Sequence, residues 1–192
     1  MKTVSMSGSL RENVGKKDAK KLRREGRVPC VLYGGEKQIG FSMPEVDFKH
    51  LIFTPEVKLV DLNIDGKQYK ASLQDVQYHP VTDHILHVDF LEVTAGKALV
   101  IGVPVRITGV SKGVLQGGKL VQKVRKLKVK AFAEHLPDDI PVDITELDIA
   151  QAIKVQDVKM EHLQMLDNPA SIIVTVAATR AVADDKKAAP AK

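Results

Sequence analysis

Eight cations stand within a short stretch near the N-terminus: Arg11, Lys16, Lys17, Lys20, Lys21, Arg23, Arg24 and Arg27. Helical spacing would put Lys20, Arg23 and Arg24 on one face with Lys21 beside Arg24, a ridge suited to binding phosphates. Such a ridge repels itself unless an anion arrives, and Glu25 alone interrupts it. Three readings stand on these residues: a nucleic-acid backbone, an ordinary solvated helix face, and a membrane surface or other polyanion.

Tyr33 precedes Gly34 and Gly35, where a loop without side chains would let backbone approach a ligand while the ring stacks or its hydroxyl donates to phosphate. The plainer reading is a tyrosine at the rim of a core. From Gln74 to Asp89 the sequence QDVQYHPVTDHILHVD gathers His79, Asp83, His84, His87 and Asp89, which invites a metal. On a strand, however, His87 and Asp89 share one face while His84 points away, so three ligands do not converge. The same pair, one ring that donates and one carboxylate that accepts, could read base edges or form an ordinary polar strand face.

Gly113 to Lys119, GVLQGGK, has the spacing of a phosphate-binding loop, but Leu120 stands where Ser or Thr would hold Mg²⁺. A β-type run follows instead of a helix, so a Gly-rich hairpin loop is expected. The basic run Lys119 to Lys130, including Lys123, Arg125, Lys126, Lys128 and Lys130, falls on strand-like sequence. Solvated or edge-protecting lysines and an RNA contact are both open there. No nucleophile elbow, zinc-protease helix motif or dinucleotide fingerprint is found, so no catalytic residue, metal or cofactor is expected.

These groups need elements to hold them. The chain has 192 residues, 44% hydrophobic and 28% charged, with net charge +5, an ordinary globular composition long enough for two modest cores. The charge is uneven: residues 1–30 carry nine Lys/Arg against three Asp/Glu, residues 31–92 five against ten. Residues 112–130 hold seven cations and no acid, and residues 131–170 two against nine. Cys30 is the single cysteine, which excludes an internal disulfide and suits a reducing compartment. No signal-like or membrane-spanning apolar run is seen, so a cytoplasmic protein is expected.

A half-buried strand is predicted over residues 2–11, then a turn at Gly15 and a helix AKKLRRE capped by Asp18, with Ala19 and Leu22 inward and Gly26 as left-handed stop. Pro29 to Tyr33 reads as a strand. Pro44 opens a predicted second helix through EVDFKHLIF, with Val46, Phe48, Leu51 and Ile52 on its apolar side. VKLVDLNI, the turn Asp65-Gly66 and KQYKASLQDV give the clearest hairpin signal; HILHVDFLEV is a further strand. A boundary near 92–97 divides an N-terminal domain, 1–92, from a second β-rich domain, 93–179, in which TELDIA and DVKMEHLQ suggest short helices. Residues 180–192 offer little to bury in a core and are expected to be disordered.

The succession SLRENVGKKDAKKLRREGRVPCVLYGG, then LQDVQYHPVTDHILHVDFLEV, resembles the bacterial large-subunit ribosomal protein L twenty-five, or CTC/general stress protein, family. The continuation resembles the second domain of its longer members. The resemblance implies a mainly β protein: a closed β-barrel with short helices, then a second β-rich domain. It further implies a non-catalytic cytoplasmic component of the ribosome that binds the loop E region of 5S ribosomal RNA in the central protuberance. A monomer is expected off the ribosome, with neighbouring ribosomal proteins as partners of the C-terminal domain. It assigns RNA contact to Arg11, Lys16, Lys20, Lys21, Arg23, Tyr33, Gln74, His87 and Asp89. Lys20 and Lys21 stand where arginine is common in the family, and Cys30 where alanine is usual.

Overall fold

Alternating burial organises most of the chain. In the computed structural model, which describes residues 2–35, 37–94, 96–160 and 162–179, the protein is mainly β and forms two compact units. One comprises the chain up to Leu99 together with Phe132–Asp138, the other Val100–Ala131 and the chain from Asp139 onward. The predicted disordered tail, 180–192, lies outside the described residues.

The first unit is a closed six-stranded barrel. Its strands are β1 (Lys2–Leu10), β2 (Arg27–Tyr33), β3 (Ile39–Pro44), β4 (Lys58–Ile64), β5 (Lys67–Tyr78) and β6 (Ile85–Glu92), ordered β1-β3-β2-β6-β5-β4. Parallel pairing of β1 with β4, from Lys2 opposite Lys58 to Gly8 opposite Ile64, closes the ring and removes the sheet edges. Glu56 serves both lysines of the opposed pair, at 2.6 Å from Lys2 and 3.9 Å from Lys58.

The interior follows period-two patterning: Val28, Cys30 and Leu32 of β2, Val60, Leu62 and Ile64 of β4, and Val88 and Phe90 of β6 are all buried. Phe90 anchors this core, its ring centroid 5.8 Å from Phe41 and 6.5 Å from Phe48. Cys30 is fully buried; burial, and after it the negative charge of Asp89, pushes its thiol pKa up, which makes it an inert core residue. The expected hairpin joins β4 to β5, with Asp65 and Gly66 both at positive φ, 47° and 86°.

Helix α1 (Lys16–Arg24) is the crossover between parallel β1 and β2, with β3 inserted between them. Ala19 and Leu22 form its half-buried side, Glu25 is its C-cap, and Gly26 follows at φ 72°. Asp18 does not cap it: Gly15 holds that position without a side-chain bond, and Asp18 lies in the first turn. The predicted second helix is shorter than its pattern suggests, a 3-10 turn Glu45–Phe48 followed by one turn, α2 (Lys49–Ile52). Phe48 and Leu51 are buried, but Val46 is 65% exposed, because the 3-10 turn rotates it off the apolar side.

The second unit contains most of β7 (Ala98–Thr108) and of β9 (Lys126–Phe132), with α3 (Lys112–Leu115), β8 (Lys119–Gln122), β10 (Ile140–Asp143), β11 (Ala152–Lys154), β12 (Gln164–Met165) and β13 (Ile172–Ala177). Its sheets run β10-β7-β9-β12 and β11-β13-β8. The Gly113 segment is no hairpin loop; it begins with the single turn α3, where the Ser111 side chain accepts from Val114 N. A Cβ on Gly113 would approach the Asp148 carbonyl carbon and Ile149 nitrogen to 2.7 Å. The glycine therefore lets one backbone pass another, which accounts for the loop-like spacing without a phosphate. TELDIA is a turn, since the Leu147 carbonyl accepts from Gly113 N and Ser111 Oγ. In DVKMEHLQ, Asp157 closes a 3-10 turn, Val155–Asp157, no helix follows it among the described residues, and Gln164 opens β12, paired with β9.

Candidate nucleic-acid interface

The basic stretch divides once its partners are visible. Arg11 is barely accessible, its side chain 9% exposed; its Nε and Nη2 donate to Asp18 Oδ2 at 3.1 and 2.7 Å. Arg27 reaches across the outside of the barrel to Ser9 Oγ at 2.6 Å and the Ser42 carbonyl at 2.8 Å, tying β1, β2 and β3 together. Arg23 donates through Nε to the Leu86 carbonyl of β6 at 3.0 Å. Arg11 and Arg23 hold the crossover helix in place, while Arg27 ties the strands beside it to one another.

That help matters because α1 has nine residues, no side-chain N-cap and no fully buried residue, below the length at which an isolated helix is stable in water. The other cations point outward. Lys16, Lys17, Lys20, Lys21 and Arg24 are exposed, and among the described residues their one ion pair is Lys21 with Glu25, at 4.0 Å. An exposed pair that long contributes little. With Glu25 the one carboxylate paired to them among the described residues, the exposed cations keep a local positive potential directed at solvent.

Beside α1, two neighbouring strands present polar side chains outward. Parallel pairing sets Val31 opposite Asp89 and Tyr33 opposite Leu91. On β6, Val88 and Phe90 point in, so His87 and Asp89 point out; His87 Nδ1 lies 2.7 Å from Asp89 Oδ1. The contact orients the ring and leaves its other nitrogen for a further partner. Tyr33 ends β2, 38% exposed. The glycines after it allow close approach, though to the protein itself: a Cβ on Gly34 or Gly35 would collide with the side chain of Leu91 or Glu92.

Two β-bulges shape this surface. The ladder between β5 and β6 steps from Leu73 opposite Phe90 to Asp75 opposite Asp89, leaving Gln74 as the extra residue. A second step, from Gln77 opposite His87 to Tyr78 opposite Ile85, leaves Leu86 extra. Its carbonyl is the one that Arg23 takes. Bulges re-aim side chains and commonly flank functional surfaces. Gln74 is exposed, its Nε2 3.4 Å from Ser72 Oγ.

The pairing also brings up two residues that sequence reasoning missed. Asp75 lies directly across from Asp89, and Gln77 from His87, both exposed; directly opposed residues project from the same face. The alternation within QDVQ could have flagged them, since it sends Asp75 and Gln77 to one side. Two facing carboxylates with an adjacent imidazole and amide present acceptors and donors in the mixture that base edges require. His84 and His79 stand apart from this group: His84 Nδ1 is 3.1 Å from Glu45, and His79 Nδ1 accepts from Thr82 N at 3.3 Å.

Comparison with known proteins agrees with this architecture. Residues 6–90 match the family described as Ribosomal L25p, and residues 98–180 match the C-terminal domain of ribosomal protein TL5. A protein of Cytophaga hutchinsonii named large ribosomal subunit protein bL25 is 44% identical over 192 residues, spanning the whole of both chains. Proteins of the same name from Phocaeicola vulgatus and Porphyromonas gingivalis are 42% and 41% identical, each match covering 94% of this chain and 95% of the relative. With both domains matched in order and relatives aligned over essentially their full length, the chain belongs to the ribosomal L25p family, in its form with a TL5-type C-terminal domain.

Proposed function

We propose that this protein binds 5S ribosomal RNA, in its loop E region, through the barrel face formed by α1, β2, β6 and β5. Family membership makes it a structural protein of the large ribosomal subunit, cytoplasmic and not an enzyme. The observation that carries the finer reading is the adjacency of two surfaces. A ridge of exposed cations on α1 is bound through Arg23 to the strand that presents His87 and Asp89.

Each surface has its own task. Lys16, Lys20 and Lys21, with Lys17 and Arg24, neutralise phosphates and supply affinity that falls with salt. Tyr33, Gln74, His87 and Asp89, joined by Asp75 and Gln77, contact sugars and base edges where a non-standard helix exposes them. Arg11 serves the interface from behind, fixing the turn before α1, and Arg23 combines that duty with its exposed position. Contact with 5S ribosomal RNA resides in residues 1–92, and the protein takes its place in the central protuberance as a single copy.

The test is affinity of the full chain for 5S ribosomal RNA and for an unrelated structured RNA of equal length at near-physiological salt. A preference of about a hundredfold or more is expected, within the range of specific nucleic-acid readers. Equal, weak, salt-erased binding to both would leave the electrostatics and remove the assignment to 5S RNA.

A further inference from the structure

The second basic run acquires a different meaning once its strand is placed. In β9, Leu127, Val129 and Ala131 are buried while Lys126, Lys128 and Lys130 are exposed. One explanation for such lysines is protection of an open sheet edge. Over Lys128 to Lys130 the position of β9 removes it, for there the strand lies between β7 and the β12 segment. Beyond β12 its backbone remains occupied: Leu166 N donates to the Lys128 carbonyl at 2.9 Å, and Lys128 N donates to Asp167 Oδ2 at 2.7 Å.

The lysines therefore define a face. Residues two apart on a strand project from the same side about 7 Å apart, which makes a straight row of charges on a rigid support. Next to the row, β7 turns outward at Val100, Gly102 and Pro104, in alternation with buried Leu99, Ile101 and Val103. A Cβ on Gly102 would lie 3.8 Å from Lys126 Cβ, so the two strands present these residues on one surface. That neighbouring strip carries no charge. On the same side of β7, Arg106 has a partner, Asp139 at 3.4 Å, whereas among the described residues Lys126, Lys128 and Lys130 make no ion pair.

We infer that this face is a second RNA-binding surface, on which Lys126, Lys128 and Lys130 track the phosphates of a ribosomal RNA strand while the uncharged β7 strip accommodates its sugars. Charge complementarity commits the occupant to a polyanion. Membership of a family of ribosomal proteins surrounds the chain with RNA, in preference to an acidic protein segment. Three phosphate contacts would add a salt-dependent, sequence-independent affinity. This surface is independent of the α1 ridge and stands or falls separately.

The experiment uses the full chain carrying Lys20→Gln, Lys21→Gln and Arg24→Gln, which weakens the ridge, with and without the further changes Lys126→Gln, Lys128→Gln and Lys130→Gln. The probe is protein-free large-subunit ribosomal RNA lacking the 5S molecule, titrated across salt concentrations. Adding the β9 changes should weaken binding about tenfold at low salt and lower the magnitude of the log–log salt slope by about 2 to 3, with the thermal transition unmoved. Arginine at the three positions should retain binding. Unchanged affinity and slope in the β9 variant would overturn the inference. So would an equal loss of binding to polyglutamate, since the face would then recognise carboxylates as readily as phosphates.

Discussion

Two groups of cations in the first unit look alike in sequence and differ in the folded protein. Arg11, Arg23 and Arg27 are held by Asp18, the Leu86 carbonyl and the Ser9–Ser42 pair. Lys16, Lys17, Lys20, Lys21 and Arg24 project into solvent. Arg24 apart, the difference follows from chemistry: a guanidinium can bridge several fixed acceptors with its planar set of donors, while a lysine is a compact, well-hydrated charge on a flexible stem. In this protein the first kind builds the platform and the second kind supplies the field.

The strongest way to break that comparison is to neutralise the exposed group. Lys20→Gln, Lys21→Gln and Arg24→Gln together should reduce affinity for 5S ribosomal RNA about a hundredfold at physiological salt and leave the melting transition in place, as judged by titration and calorimetry. A large loss of stability instead would show that the ridge also holds the fold. Next in size, Arg11→Ala removes the charged hydrogen bonds to Asp18 and should destabilise the first unit by about 2 kcal/mol, measured by urea denaturation. Asp18→Asn sharpens the point, because it frees Arg11: a gain in RNA affinity without loss of stability would make Arg11 a contact and not a support.

A smaller effect is expected at the strand face. His87→Ala should cost about tenfold in binding to 5S RNA and little in binding to unrelated RNA, so the ratio of the two affinities falls. Equal losses for both would move His87 to the electrostatic group. The smallest effect is at Cys30, which burial protects. A thiol reagent at pH 8 should leave the native chain unmodified over hours and react promptly in denaturant; rapid native reaction would contradict the closed barrel core.

Local features were legible in the sequence. The Asp65-Gly66 turn, the inward Ala19 and Leu22 of α1, and the outward pair His87 and Asp89 all follow from turn chemistry or period. What escaped depends on partners far along the chain. The acceptor of Arg23 lies 63 residues away, and those of Arg27 lie 15 and 18 away. Neither bulge in the β5–β6 ladder has a residue that announces it; each depends on how the strands meet in the closed barrel. The predicted helix in TELDIA failed for a similar reason, since Ser111 and Gly113 take the Leu147 carbonyl. Asp18 was a local miss: its carboxylate suits a helix cap, but the guanidinium of Arg11 claims it.

The most direct test of the division between platform and field is the salt dependence of 5S ribosomal RNA binding in two variants of the full chain. Replacing Lys20, Lys21 and Arg24 by Gln should reduce the magnitude of the log–log slope by about 2 to 3, while Arg11→Gln, measured where it remains folded, should leave the slope unchanged. A comparable fall in slope for Arg11→Gln would mean that its guanidinium meets phosphate in the complex, and the distinction drawn between the two groups would be wrong.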